Sequence, residues 1–301
     1  MTRDTQRSGT LYVLTAYVVW GLLPIYWKAL QSVPAPEILA HRIFWSFVFV
    51  SFLLWKQQRW AEFKWTFRSR SNLWICILTA AIIGSNWFIY IWAVIHDHIV
   101  DTSLGYFINP LITVLLGVIF LHEKLNRWQI IAFVLASLGV GYLTLEYGRV
   151  PWIALSLALT FGIYGLLRKT ARIEALSGLT AETGLLSPLV LTYLLLLALK
   201  GESSAGSSPA AIHLLLLGSG LVTAGPLLWF TIGVRRIKLS TAGFLQYLAP
   251  SMQLLLGVVV YREPFTRTHL ISFGLIWTAL IIFSLSNTPL LNRPSLTSTS
   301  D

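Results

Sequence analysis

The stretch SLGYFINPLITVLLGVIFLHEKLNR, residues 103–127, returns 140 positions later as GFLQYLAPSMQLLLGVVVYREPFTR, residues 243–267. Without a gap, Pro110 aligns with Pro250, Leu115 and Leu116 with Leu255 and Leu256, and Gly117 and Val118 with Gly257 and Val258. Glu123 and Arg127 then align with Glu263 and Arg267. Leucines alone would carry little in so apolar a segment. Proline, glycine, glutamate and arginine holding register mark a duplication. A shorter echo, Trp20-Gly21-Leu22-Leu23 against Tyr164-Gly165-Leu166-Leu167, supports it.

Each copy is long and apolar enough to cross a bilayer, which takes about 20 residues of helix. The rest of the chain repeats that character. Of its 301 residues 55% are hydrophobic and 11% charged, against about 25% charged in soluble domains, which excludes an ordinary soluble enzyme. Apolar windows separated by charged or Pro/Gly-bearing breaks divide it into ten spans: 10–29, 35–55, 72–94, 100–121, 127–147, 151–168, 178–199, 210–233, 239–261 and 267–287. The expected fold is an all-α integral membrane protein of ten transmembrane helices, with five in residues 1–147 and five in 148–287. The Ser/Thr-rich tail, 288–301, reads as a disordered cytoplasmic tail. Because five is odd, the second repeat enters the membrane from the opposite side. Inverted repeats meeting around a site near the midplane are the architecture of secondary transporters.

Of the 22 Lys and Arg residues, sixteen fall on the side shared by the N-terminus, the even connectors and the C-terminus; five fall on the other. Positive residues stay preferentially in the cytoplasm, so both termini are expected there. This spread through short connectors explains the net charge of +10 and argues against nucleic acid, which needs one basic face. The single Cys76 can form neither an intramolecular disulfide nor a cysteine metal site, and no cofactor or metal is expected.

Several stretches resemble the RarD group, the chloramphenicol-sensitive protein type of permease in the drug/metabolite transporter superfamily, which has paired EamA domains. They are AYVVWGLLPIYWK (16–28), VPAPEILAHRIFWS (33–46), GSNWFIYIWAV (84–94), SLGYFINPL (103–111) and KLSTAGFLQYLAP (238–250). The resemblance covers nearly the whole chain. It implies a ten-helix inner-membrane permease with inverted five-helix repeats and a small-molecule solute, and it names no substrate.

Ionisable groups within a span cost about 2.5–3.5 kcal/mol at its centre and are functional candidates by default. His41 and Arg42 lie in the second span, Glu182 in the seventh and Asp101 at the entry to the fourth. Arg42 and Glu182 share the offset of 140. Arg42 is read as the contact for an anionic or polar substrate group or as the lock of one conformational state, Glu182 as its counter-charge or a proton carrier. Gly21, Pro110, Pro226 and Pro250 mark expected helix breaks, whose freed backbone groups can face a cavity. Asn109 and Gln246, near the paired prolines, and Asn86 are the polar contacts. Trp20, Trp87, Tyr90, Tyr106, Tyr164, Trp229 and Tyr247 suit a flat or amphipathic solute. Glu123 with Arg127, and Glu263 with Arg267, have the spacing of helical ion pairs that could latch opposite faces.

Enzyme signatures are weak. His122-Glu123 begins an HExxH motif, but residue 126 is Asn. His96-Asp97-His98 reads as a polar turn rather than a metal cluster. The alternative function is a membrane-embedded enzyme acting on a lipid or amphipathic substrate through His41, Arg42 and Glu182. Beyond solute and bilayer, protons are a possible partner. The small-residue pair Ala132 and Ala136 suits packing within a monomer as well as in a homodimer.

Overall fold

The computed structural model describes residues 3–96, 99–146, 148, 151–204, 209–262 and 266–286. Asp97, His98, Glu263 and the tail from 287 lie outside the described residues, as does the side chain of Asp101. The helices are α1 (Arg3–Ala29), α2 (Ala35–Lys56), α3 (Trp60–Arg68), α4 (Arg70–Ile95), α5 (Ile99–Leu121) and α6 (Arg127–Glu146). The second half contains α7 (Trp152–Thr170), α8 (Ala175–Lys200), α9 (Ala210–Val234), α10 (Leu239–Gln246), α11 (Leu248–Leu255) and α12 (Arg267–Ser286). Ten membrane-length helical stretches result, the ninth being α10, α11 and a π-helical turn over Leu256–Val260. The connector between the second and third spans holds an unforeseen helix, α3, whose nine residues are too few to cross.

The repeat extends to the backbone. His122 and Arg262, which align at the same offset, both have positive φ, 51° and 55°, a conformation uncommon for residues with a Cβ. Packing runs mainly across the repeats: α5 lies on α7 and α10, α1 on α9 and α11, α2 on α8 and α9, and α6 on α12. A five-helix half therefore lacks a complete core of its own. Small residues allow these approaches, because helices in lipid associate through close backbone packing rather than exclusion from water. At Gly220 the backbone of Trp45 and Ser46 on α2 occupies the space of any Cβ, and the Ser46 hydroxyl donates to the Gly220 carbonyl at 3.2 Å. A Cβ on Gly243 would lie 2.8 Å from the Pro110 carbonyl oxygen. Ala132 and Ala136 are buried against α12 within the chain.

The expected breaks are corrected. Helix α1 continues through Gly21, α5 through Pro110 and α9 through Pro226. Among the described residues only the ninth span is interrupted, at Tyr247. Pro250 has no N–H for the carbonyl of Gln246, four residues earlier, and its ring crowds that carbonyl. The ladder yields there, leaving a shorter bond from Tyr247 N to Phe244 O at 3.3 Å.

Arg168, counted above with the cytoplasmic connectors, is fully buried in α7. Its guanidinium lies 3.4 Å from the Glu182 carboxylate, itself 1% exposed, and donates to the Ala175 carbonyl at 3.1 Å. The Tyr164 hydroxyl donates to the other Glu182 oxygen at 3.0 Å. The guanidinium occupies the space left by Gly178, where a Cβ would make it shift. The orientation bias survives the loss of one charge from its larger side.

Two stability measurements test this packing. Gly220→Ala should destabilise the detergent-solubilised protein by about 1–3 kcal/mol, the usual cost of overpacking. Gly274→Ala, where a Cβ meets nothing within 4 Å, should unfold like the parent. Glu182→Leu should cost about 3–5 kcal/mol by leaving a buried guanidinium unpaired, whereas the apolar double variant Arg168→Met, Glu182→Leu should recover most of that loss.

Candidate functional site

The cross-repeat packing leaves a cavity of about 560 Å³ between α1, α2, α4, α5, α7, α9 and the α10–α11 break. Helix α1 supplies Tyr17, Trp20, Pro24 and Trp27, separated by three or four residues, so one face of one helix forms a wall. Asn86, Trp87 and Tyr90 come from α4, and Tyr106 and Asn109 from α5. Gln246, Pro250 and Gln253 come from the broken span. Along α1 the lining ends at Lys28, so the cavity extends from mid-bundle toward the end carrying the 29–35 connector.

The other end is sealed. Tyr17, Trp20, Phe161 and Phe230 form an aromatic cluster with centroid separations of 5.3–6.2 Å. The buried Tyr17 hydroxyl donates to the Ala242 carbonyl at 3.0 Å. Val13, Val234 and Leu239 extend the same buried core. At the end of the seal, the Glu123 carboxylate accepts from the amides of Leu239 and Ser240 at 2.7 and 2.8 Å, and from the Ser240 hydroxyl at 2.6 Å. These amides open α10, so an anion occupies the positive end of a helix dipole.

That contact corrects the expected Glu123–Arg127 pair. Residues 122–126 are non-helical, so the i, i+4 spacing has no helix to act on, and the Arg127 guanidinium lies over Trp128 at 5.4 Å. Arg267 begins α12 as an exposed residue, while its expected partner Glu263 is outside the described residues.

Nine sequence candidates line the cavity together: Trp20, Arg42, Asn86, Trp87, Tyr90, Tyr106, Asn109, Gln246 and Pro250. Their polar atoms are ordered by neighbours. Asn86 donates to the Leu157 carbonyl at 3.0 Å and to Thr160 at 2.8 Å. The Thr113 hydroxyl lies 3.2 Å from Asn109 Oδ1 and 3.4 Å from Gln246 Oε1, joining the two repeats at the level of their prolines. Arg42 projects between Trp27 and Trp87, with its guanidinium carbon 4.5 and 5.8 Å from their ring centroids, and Nε donates to Thr223 at 3.0 Å.

The other candidates lie elsewhere. Glu182 is held by Arg168 rather than Arg42, and Tyr164 is buried beside it. Tyr247 is buried in the second core cluster, and Trp229 packs against the first. His41 does not line the cavity, and both its ring nitrogens lack hydrogen-bond partners among the described residues. His41, Arg42 and Glu182 thus do not form the shared site expected of the enzyme alternative. Tyr17 and Trp27 were missed, although helical spacing from Trp20 was available to find them. Thr223 had no sequence signal.

A family model described as the EamA-like transporter family matches the chain twice, over residues 7–145 and 150–285. An "Uncharacterized transporter" of Vibrio cholerae is 45% identical over 94% of this chain and 95% of its own. The "Protein RarD" of Escherichia coli (strain K12) is 42% identical over 94% and 96%, respectively. The "Chloramphenicol-sensitive protein RarD" of Pseudomonas aeruginosa is 31% identical over 95% and 96%. A solved crystal structure covers 92% of this chain and 98% of its own with a TM-score of 0.69; at 18% identity it is a likeness of fold. The chain belongs to the EamA-like transporter family, as a RarD-type, multi-pass inner-membrane permease of the drug/metabolite transporter superfamily.

Proposed function

We propose that this permease moves a small organic solute by alternating access, with the described conformation facing outward. The observation that carries the reading is a cavity walled by both repeats, sealed on one side by the aromatic cluster and the Glu123 cap. Its size lies within the roughly 300–1,000 Å³ of small-molecule sites. The excess of Lys and Arg at the sealed end supports a cytoplasmic position for that end and for both termini. The Lys28 end is then external.

Inverted repeats permit the same packing to form with roles exchanged. Release of α10 by Glu123 would loosen the inner seal, and Glu263, which aligns with Glu123, is the proposed latch of the opposite face. In a Cys76→Ser background, a single cysteine replacing buried Val234 should resist maleimide added from the cytoplasmic face. Glu123→Gln should raise its labelling several-fold, and Glu263→Gln should lower it further. Unchanged labelling in both variants would remove the latch.

Glu182 gains no support as a proton carrier, because its carboxylate is buried, lies outside the cavity lining and is held by Arg168 and Tyr164. Flux of a transported solute into proteoliposomes should therefore continue without an imposed pH gradient. Strict dependence on the gradient would restore proton coupling.

A further inference from the structure

We propose that the solute is an organic monoanion with a flat apolar body, whose carboxylate is received by Arg42. This rests on the transport reading and adds a substrate class. Within an apolar, aromatic cavity, a guanidinium is costly to desolvate unless an anion compensates it. Arg168 obtains that anion from Glu182. Arg42 does not: its hydrogen bond is to neutral Thr223 through Nε, and its neighbouring faces are those of Trp27 and Trp87.

The two Nη groups of Arg42 have no acceptor among the described residues. Among the described residues no Asp or Glu lines the cavity, and the other lining cation, Lys28, is exposed near the mouth over the Tyr261 ring, 3.6 Å from the centroid. The lining is therefore cationic and aromatic, with one charge at depth and one at the entrance. Its geometry fits an anion entering past Lys28 and docking on the guanidinium.

The number of charges separates the anion classes. A guanidinium presents parallel N–H donors that match a carboxylate bidentately. A phosphate monoester carries nearly two negative charges at neutral pH, and one deep guanidinium with neutral side chains leaves about one of them uncompensated. Trp20 and Phe161, crossing edge to face at 5.6 Å, supply a rigid apolar surface for the remainder of the solute. Asn86, Asn109 and Gln246 provide neutral polar contacts around it.

Calorimetric titration of the purified protein in nanodiscs can compare four probes with one body: 3-phenylpropionate, 3-phenylpropionamide, 3-phenylpropylamine and 3-phenylpropyl phosphate. The carboxylate should bind about 10- to 100-fold more tightly than the amide, the range of a charge-assisted hydrogen bond. The amine should bind most weakly. Arg42→Gln should bring the carboxylate-to-amide ratio near one, and Arg42→Lys should retain an intermediate preference. Because the readout is a ratio within each folded sample, loss of protein alone cannot imitate it.

Equal binding of acid and amide, tighter binding of the phosphate or amine, no binding of the set, or a ratio unchanged in Arg42→Gln would each overturn the inference. Flux of 3-phenylpropionate above protein-free liposomes separates it from the transport reading. Arg42-dependent binding without flux would sink transport and leave the site, whereas flux without acid preference would sink the site and leave transport.

Discussion

In the hydrocarbon layer no water is present to bond a free amide or carbonyl, so each span must satisfy its own backbone. Helices α1, α5, α8 and α9 remain continuous despite internal prolines. The interruption at Tyr247 lies next to Gln246, where the chain borders a cavity rather than lipid. The same constraint explains the seal. Amides opening α10 would otherwise be left unpaired as the chain turns into the bundle, and Glu123 on the other repeat accepts them. Backbone satisfaction thereby joins one repeat to the other.

The charges divide into groups with different roles. Basic residues at the sealed end satisfy backbone carbonyls: Lys169 donates to that of Val234, the last residue of α9, at 2.8 Å, and Lys238 to that of Lys124 in the connector after α5 at 3.3 Å. Glu37, 1% exposed in α2, accepts from the Ser203 hydroxyl and Ser204 amide at 3.0 Å each, anchoring the end of the 201–204 turn. Arg168 and Glu182 neutralise each other within the bundle. Arg42 is distinct in having aromatic and hydroxyl neighbours within a cavity. An excess of cations at one end of the bundle and a cavity-facing cation therefore follow from different surroundings of the same residue types.

Much of the site was legible because its residues recur at helical intervals. Trp20 implies Tyr17, Pro24 and Trp27 on its face, and Trp87 implies Tyr90. Asn109 and Gln246 were legible through the duplicated prolines, and their link through Thr113 follows from that level. Tyr247 and Tyr164 were misplaced for a different reason. A polar aromatic beside a break can face a cavity or a neighbouring helix, and helix rotation decides which. Tyr247 turns into the core with Phe244 and Phe283, and Tyr164 turns toward Glu182.

The sequence by itself determined the ten spans, their division into two fives and the inversion, because hydropathy, proline register and parity are properties of a linear chain. It also isolated Arg42 and Glu182 as charges within membrane segments. Only the tertiary structure decided their partners. Arg168 reaches Glu182 from α7, while Arg42 meets Thr223 and two tryptophans from three other helices. The physical reason is that a charge pairs with what its helix rotates it toward, and that rotation is set by small-residue contacts such as that of Gly220 in α9 against α2, far along the chain from Arg42.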